Sequence, residues 1–306
     1  MGNVEGSAGV PPVESGIDRR KFIMCGALTF GLLGAAGHNR AEAGESSIAL
    51  RTITYNVCGC RGWPRRRTAK ARLEAARDQM PVRLALELAL YEPDIVTLSE
   101  APSEKEVARI AGHLDMGYVF YPSPEGFPGA LMTRYKIVSS ANCPLPNGRK
   151  RPGELFTRHF GRAVLDTSLG DVVVYSAHLN PHKTDTRLRE IAMATAAMRH
   201  DMKTGGSIIL QGDLNHTPDG PEYQRWADAG FVDAFDAAGS GSAGTSNSIK
   251  PRVRVDYIWS TGSIAKQLVS CRVLFEGSFR FDSDDPVHFA LSDHLPVMAS
   301  FERDAV

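Results

Sequence analysis

Apolar residues along this chain gather in short runs that stop abruptly at polar groups, and between the runs the hydrophobic period lengthens from two residues to about 3.6. The stretches IALRTITYNV, PDIVTLSE, ALMTRYKIVSS, RAVLDTSL, DVVVYSAHLN, SIILQGDLN, RVRVDYIWS and PVMASFE predict strands. Several are apolar on both faces, as central strands covered on each side are. Ser103 with Glu106 makes a capping box, and Val107, Ile110, Ala111 and Leu114 continue it as a helical stripe. After Asp185, the residues Leu188, Ile191, Thr195, Met198 and Met202 predict one buried helix face. Residues 66 to 91 are also helical in character, with Pro81 as an interruption. Strands interleaved with helices point to a mixed α/β or layered α+β core, without an internal repeat. Two stretches read as long loops: Ala237 to Ser248, which has almost nothing to bury and should be mobile, and Glu276 to Phe289.

The front of the chain breaks this pattern. Residues 1 to 17 show neither period and predict disorder. Asp18-Arg19-Arg20-Lys21-Phe22-Ile23 then leads into a Gly- and Ala-rich apolar run, and Ala41-Glu42-Ala43 supplies a peptidase-like site. This resembles a twin-arginine export signal, with cleavage after Ala43 and a periplasmic or extracellular destination. The apolar run is short for a span, which needs about 20 residues. Residues 1–43 are therefore set apart as a disordered N-terminus with an export signal, and residues 44–306 as one domain.

Composition narrows the classes further. The chain has 306 residues, 42% hydrophobic, enough for a large core. Its 35 basic and 35 acidic groups cancel, and removal of residues 1–43 takes away four of each, so no global field draws it to nucleic acid or anionic lipid. Any phosphate must be held by a local site. The four cysteines beyond the leader, Cys58, Cys60, Cys143 and Cys271, lack the spacing of a structural zinc site; they allow a disulfide after export or free buried thiols.

The informative feature is which polar residues close the buried strands. Asn56 ends LRTITYN, Glu100 ends DIVTLSE, His178 and Asn180 end VVVYSAHLN, and Asp213 and Asn215 end IILQGDLN. Asp256 follows VRV, and Asp293-His294 precedes the last strand. Members of the two-apart pairs face the same side of their strand. A buried carboxylate needs a cation or a donor. An oxygen-rich, cysteine-free set of ligands suits Mg2+ or Mn2+ better than zinc, and the chemistry that follows is metal-assisted attack of water on a phosphate ester.

The motifs YNV, LSE, HLN, GDLN, VDYIW and SDHLPV, in this order from Ile48 to Glu302, resemble the endonuclease/exonuclease/phosphatase superfamily, the deoxyribonuclease I-like fold. GDLNHTPDGPEY and GFVDAF match its secreted bacterial branch. The resemblance implies an α+β, four-layer α/β/β/α sandwich: two packed mixed β-sheets with outer helices and a site along one rim. It implies Asn56, Glu100 and Asp293 as metal ligands, Asp213 as the residue orienting or deprotonating the water, and Asn215 as the amide holding phosphate or water. Asp256 would hold His294 as an imidazolium, His178 would donate to a phosphoryl oxygen or the leaving group, and Asn180 would contact phosphate. Where some family nucleases carry an acid two residues after the first Asn, this chain has Cys58, which weakens the case for a second metal.

The implied activity is hydrolysis of a phosphate ester, first of all a phosphodiester. Nuclease, sphingomyelinase-like and inositol-phosphate phosphatase activities are the alternatives, so nucleic acid and membrane lipid stand as candidate substrates. A non-catalytic binding module is disfavoured by the complete polar set, and no feature implies a protein partner. Arg61, Arg65, Arg66, Arg67, Lys70 and Arg72, and Arg149 to Arg151 with Arg158 and His159, read as solvated faces before phosphate-tracking patches.

Overall fold

The computed structural model describes residues 48–64, 79–146, 150–285 and 287–303. The export signal, the basic run 65–72, Arg149 and the first part of the 66–91 helix lie outside the described residues. Strand β1 (Ile48–Asn56) pairs in parallel with β2 (Ile95–Ser99), and helix α1 (Met80–Ala89) lies between them in sequence. Pro81 sits in the first turn of α1 rather than interrupting it, since its missing N–H has no helical acceptor there. Helix α2 (Glu104–Leu114) starts on the expected Ser103–Glu106 capping box. After it come β3 (Gly117–Tyr121), β4 (Gly129–Thr133) and β5 (Lys136–Asn142).

The run ALMTRYKIVSS is thus two strands in different sheets. Thr133 breaks it: its hydroxyl donates to Asp94 O and accepts from Tyr135 N, which turns the chain from one sheet to the other.

The second half repeats the parallel pairing. β6 (Phe160–Thr167) runs antiparallel to β7 (Gly170–His178), and β7 pairs in parallel with β8 (Ser207–Asp213) across helix α3 (Thr184–Lys203). Helix α4 (Pro221–Asp228), the short β9 (Val232–Asp233), α5 (Ala234–Ala238) and β10 (Gly239–Ser240) follow. β11 (Asp256–Thr261), β12 (Leu268–Val273) and β13 (Val297–Glu302) complete the chain.

One sheet has the order β10-β12-β13-β1-β2-β4-β3 and the other β5-β6-β7-β8-β11-β9. Strand alternation sorts their side chains into layers. Ile53, Tyr55, Val96 and Leu98 pack outward on Leu84 and Leu88 of α1 and Val107 and Ile110 of α2. Tyr175, Ile208, Leu210 and Trp259 pack outward on Ile191 and Met198 of α3 and Trp226 of α4. Leu50, Ile95, Leu131, Val172, Val174, Ile209, Ile258 and Phe301 fill the space between the sheets. This is the α/β/β/α sandwich.

The inter-sheet layer is not wholly apolar. Thr52 Oγ1 donates to Gln211 Oε1 at 2.8 Å, and Gln211 Nε2 donates to Thr97 Oγ1 at 2.9 Å. This satisfied polar seam fixes the register of one sheet on the other close to the rim where Asn56 and Asp213 end their strands. All four described cysteines are free thiols, so no disulfide forms among them. Burial pushes the Cys60 and Cys271 thiols up, which makes them poor nucleophiles. Among the described residues no helix is long and apolar enough to cross a membrane.

The segment from Ala237 to Ser248 is not the unburied loop its composition predicts. Its first residues end α5 and form β10, and Thr245 and Ser248 are fully buried. The segment is held by hydrogen bonds rather than apolar contact, a form of burial that hydropathy does not register.

Candidate active site

Register alone brings three of the expected groups together. In the second sheet His178 lies opposite Asp213 in the parallel β7–β8 pair, and Asp256 lies opposite Asp213 in the antiparallel β8–β11 pair. His178, Asp213 and Asp256 therefore stand side by side at one end of three adjacent strands. In the other sheet Asn56 lies opposite Ser99, with Glu100 next along the chain at φ 49°. Asn56 Nδ2 donates to Asp213 Oδ2 at 2.9 Å and, more weakly, to Glu100 Oε1 at 3.4 Å. That side chain joins the two sheets at the rim.

His294 comes from the segment before β13. Its Nδ1–H donates to Asp256 Oδ2 at 2.8 Å, and its Nε2 lies 3.9 Å from Asp213 Oδ2. His178 Nε2 lies 3.6 Å from the same oxygen. Asp213 Oδ2 is thus the point on which Asn56, His178 and His294 converge. Asn215, at φ 53°, donates its N–H to Asp213 Oδ1 at 3.1 Å, and its Nδ2 donates to Leu179 O at 3.1 Å. Asp213, Asp256 and His294 offer ligand atoms that all lie within 4.8 Å of one another.

Two expected residues stand slightly apart. Asp293 accepts from Ser292 Oγ at 3.2 Å, and no hydrogen bond joins it to Asn56 or Glu100 among the described residues. Asn180 spends its Oδ1 on the backbone N–H groups of His182 and Lys183, both at 2.9 Å, so its carbonyl oxygen shapes the turn into α3.

Burial pushes the Asp213 carboxyl up to about 7, with the charge of Asp256 adding to the rise and His294 opposing it. Burial alone would lower His294, but the carboxylates of Asp256 and Asp213 outweigh it and carry the imidazole up to about 10. His294 is therefore an imidazolium at neutral pH. His178 is close to Asp213 yet goes the other way: burial holds it well below the usual range, aided by His159, Arg158 and His294. Beneath it His159, pushed down to about 3 by burial, bonds Ser176 Oγ at 2.8 Å and lies flat against Tyr121. A Cβ on Gly129 would collide with the His159 ring, so that layer requires glycine. One imidazole is charged and the other neutral.

The oxygen-rich rim fits a hard divalent cation. The Glu100 carboxylate has no cationic partner among the described residues and accepts there only the long bond from Asn56, while Asp256 Oδ1 is buried without a donor. Glu100 also opens onto a groove of about 610 Å³, walled by Arg61, Phe120, Phe127 and Pro128. A groove of about 580 Å³ between α3 and α4 carries none of the polar groups of this rim.

Several residues that hold the site gave no signal in the sequence. Thr245 Oγ1 accepts from Val255 N at 3.1 Å and Asp256 N at 3.2 Å, and Thr245 O accepts from Leu295 N at 2.8 Å. It ties Asp256 to the segment bearing His294. Replacing Thr245 by Val keeps the shape but strands one buried and one partly buried N–H group, at a cost of about 1–3 kcal/mol, whereas Thr245→Ser keeps the acceptor. Thermal unfolding should show a clearly lower Tm for Thr245→Val than for Thr245→Ser; equal values would mean the hydroxyl carries no weight. Ser99 Oγ, accepting from Asp213 N at 3.4 Å, and Ser292 Oγ, accepting from His294 N at 3.3 Å, are smaller supports of the same kind.

Of the basic patches, two described members are committed to the fold. Arg158 pairs with Glu125 at 2.6 Å and lies 3.9 Å over the Phe127 ring, and Arg151 donates to Leu155 O and Phe156 O. Of the loop aromatics, Phe279 is buried against Tyr55 and Phe289 is buried under Arg83, while Phe127 lines the groove.

Comparison with known proteins agrees with this fold. A search of curated proteins by sequence finds no match. Among solved structures, an endonuclease/exonuclease/phosphatase family protein from Bacteroides thetaiotaomicron aligns with TM-score 0.65 at 16% identity, over 84% of this chain and 98% of that one. A mannosyl-6-phosphatase from the same species aligns with TM-score 0.62 at 14% identity, over 82% and 98%. Truncated TDP2 from Caenorhabditis elegans aligns with TM-score 0.58 at 17% identity, over 83% and 97%. At these identities the likeness shows the fold. The model of the Endonuclease/Exonuclease/phosphatase family matches residues 53–294, a span that opens within β1 and closes on His294, and the chain belongs to that family.

Proposed function

We propose that this protein is a divalent-metal-dependent phosphodiesterase that works by direct attack of water on phosphorus. The observation that carries the reading is the convergence of Asn56, His178 and His294 on Asp213 Oδ2, with Asp256 locking His294 from behind. Asp213 orients the water and takes its proton at Oδ2. His294, charged and held by Asp256, donates from Nε2 to a phosphoryl oxygen as negative charge builds there. His178 faces the same phosphate as a neutral donor, and Asn215 and Asn180 fix the phosphoryl group through their amide N–H groups. Glu100 and Asn56, with Asp293 alongside, would hold Mg2+ or Mn2+, which supplies charge neutralisation at the phosphate. In-line displacement asks mainly for such positioning.

A diester is favoured because the groove beside Glu100 offers room for a second substituent on phosphorus. The mannosyl-6-phosphatase relative keeps a monoester as the alternative outcome. The leader that resembles a twin-arginine signal supports action outside the cytoplasm. The deciding assay offers bis(p-nitrophenyl) phosphate, p-nitrophenyl phosphate, DNA, RNA, sphingomyelin vesicles and inositol phosphates with Mg2+ or Mn2+. Turnover of the diester above the monoester supports the reading. A steep fall of activity on DNA or RNA with salt would mark a nuclease, and silence on every substrate would defeat the proposal.

A further inference from the structure

Glu190 lies in the first half of α3 with 0% exposure, on the buried face that also carries Arg187, Ile191, Ala194, Met198 and Asp201. Its Oε1 accepts from Phe156 N at 2.7 Å and its Oε2 from Asn180 N at 2.9 Å. The two donors belong to different loops. Phe156, at φ 49°, precedes β6, and Asn180 follows β7. Between these loops His178 N donates to His159 O at 2.9 Å. One carboxylate therefore pins both loops that flank His178.

Around Asn180 the start of α3 consumes nearly every polar atom. Its N–H goes to Glu190, its O accepts from Arg187 Nη1 at 3.0 Å, and its Oδ1 accepts from His182 N and Lys183 N. Arg187 is itself buried and fixed by Glu222 at 2.7 Å and by Thr184 at 3.0 Å. Only Nδ2 of Asn180 has no partner among the described residues, and its direction is set by all the others.

The choice of a carboxylate has a chemical reason. Two N–H groups face Glu190 and need two acceptors, whereas a carboxamide would present one acceptor and turn its own N–H2 against the second donor. Burial holds the Glu190 carboxyl above its ordinary range, so the fold keeps a group there that is costly to ionise. An apolar side chain would pack without that cost, but it would leave both loops untied.

We infer that Glu190 is a positioning residue for catalysis, acting through Asn180 by aiming its Nδ2 at the substrate phosphate; this rests on the reading of Asn180 as a phosphate contact. The test is a double-mutant cycle on phosphodiester hydrolysis with wild type, Glu190→Gln, Asn180→Ala and the double variant, with circular dichroism to check folding. Glu190→Gln should lower kcat/KM by roughly tenfold in the wild-type background. In the Asn180→Ala background the same change should cost less than about twofold, since its target is gone. Losses that simply multiply, or no loss on Glu190→Gln, overturn the inference. If Glu190→Gln does not fold, Arg187→Lys, which weakens the hold on Asn180 O, is read through the same cycle with the same outcomes. Asp213→Ala in the same assay separates the two levels: full activity there defeats the proposed function, whereas an inactive Asp213→Ala beside a multiplicative cycle defeats only the role of Glu190.

Discussion

Asp213→Ala should reduce kcat for phosphodiester hydrolysis by roughly 10²- to 10⁴-fold while leaving KM within a few-fold of wild type, because the lost group acts on the attacking water in the transition state. The position of Asp213 gives this expectation its size. Among the described residues it is the one side chain that both sheets and both imidazoles address, and burial raises it to about 7. A carboxyl raised to that range is a stronger base than a solvated one and is still ionised at mildly alkaline pH. The sign for the pH profile follows. Asp213 works in its ionised form, so the wild-type rate should fall as pH drops through about 7, with the midpoint drawn lower when a divalent cation sits nearby. Asp213→Ala should lose that acid limb along with most of the rate. A variant that keeps the limb would assign it to another group.

His294→Ala should cost roughly 10²- to 10³-fold in kcat, the scale for removing one donor to a developing oxyanion. Asp256→Asn should cost nearly as much, although Asp256 need not touch the phosphate. The 2.8 Å bond from His294 Nδ1 to Asp256 Oδ2 sets the ring orientation, and the Asp256 carboxylate leads the forces that lift His294 to about 10. An asparagine there removes that charge. The two losses should not multiply: the double variant should resemble His294→Ala alone, since Asp256 acts only through the imidazole. Multiplying losses, measured in steady-state kinetics, would give Asp256 a separate role.

Much of this arrangement is legible from the chain, for physical reasons. Strand ends such as DIVTLSE and IILQGDLN announce themselves because a polar residue closing an apolar run needs an explanation, and register then places His178, Asp213 and Asp256 in one row. The same runs give a mixed α/β or layered α+β core, and the four-layer sandwich is what the resemblance to the family implies. What stayed hidden falls into three kinds. Edge strand β3 and β12, which only the two-residue β10 covers on its outer side, bury one residue each, and the brief α4 buries little beyond Trp226 and Glu222, so none gives a clean period. Thr245 and Glu190 are hidden more deeply, because their importance lies in which backbone N–H groups they meet, and those partners are 10 to 34 residues away. The ALMTRYKIVSS run shows a third limit, since a threonine hydroxyl turns the chain where the apolar pattern runs straight on.

The proposed dependence on a cation is central, and phosphodiester hydrolysis before and after chelation tests it most directly, with wild type beside Glu100→Gln. The account predicts that chelation abolishes turnover, that Mg2+ or Mn2+ restores it, and that Glu100→Gln raises the cation concentration for half-maximal rate by about tenfold or more. Undiminished hydrolysis in the presence of chelator, by both proteins alike, would contradict it.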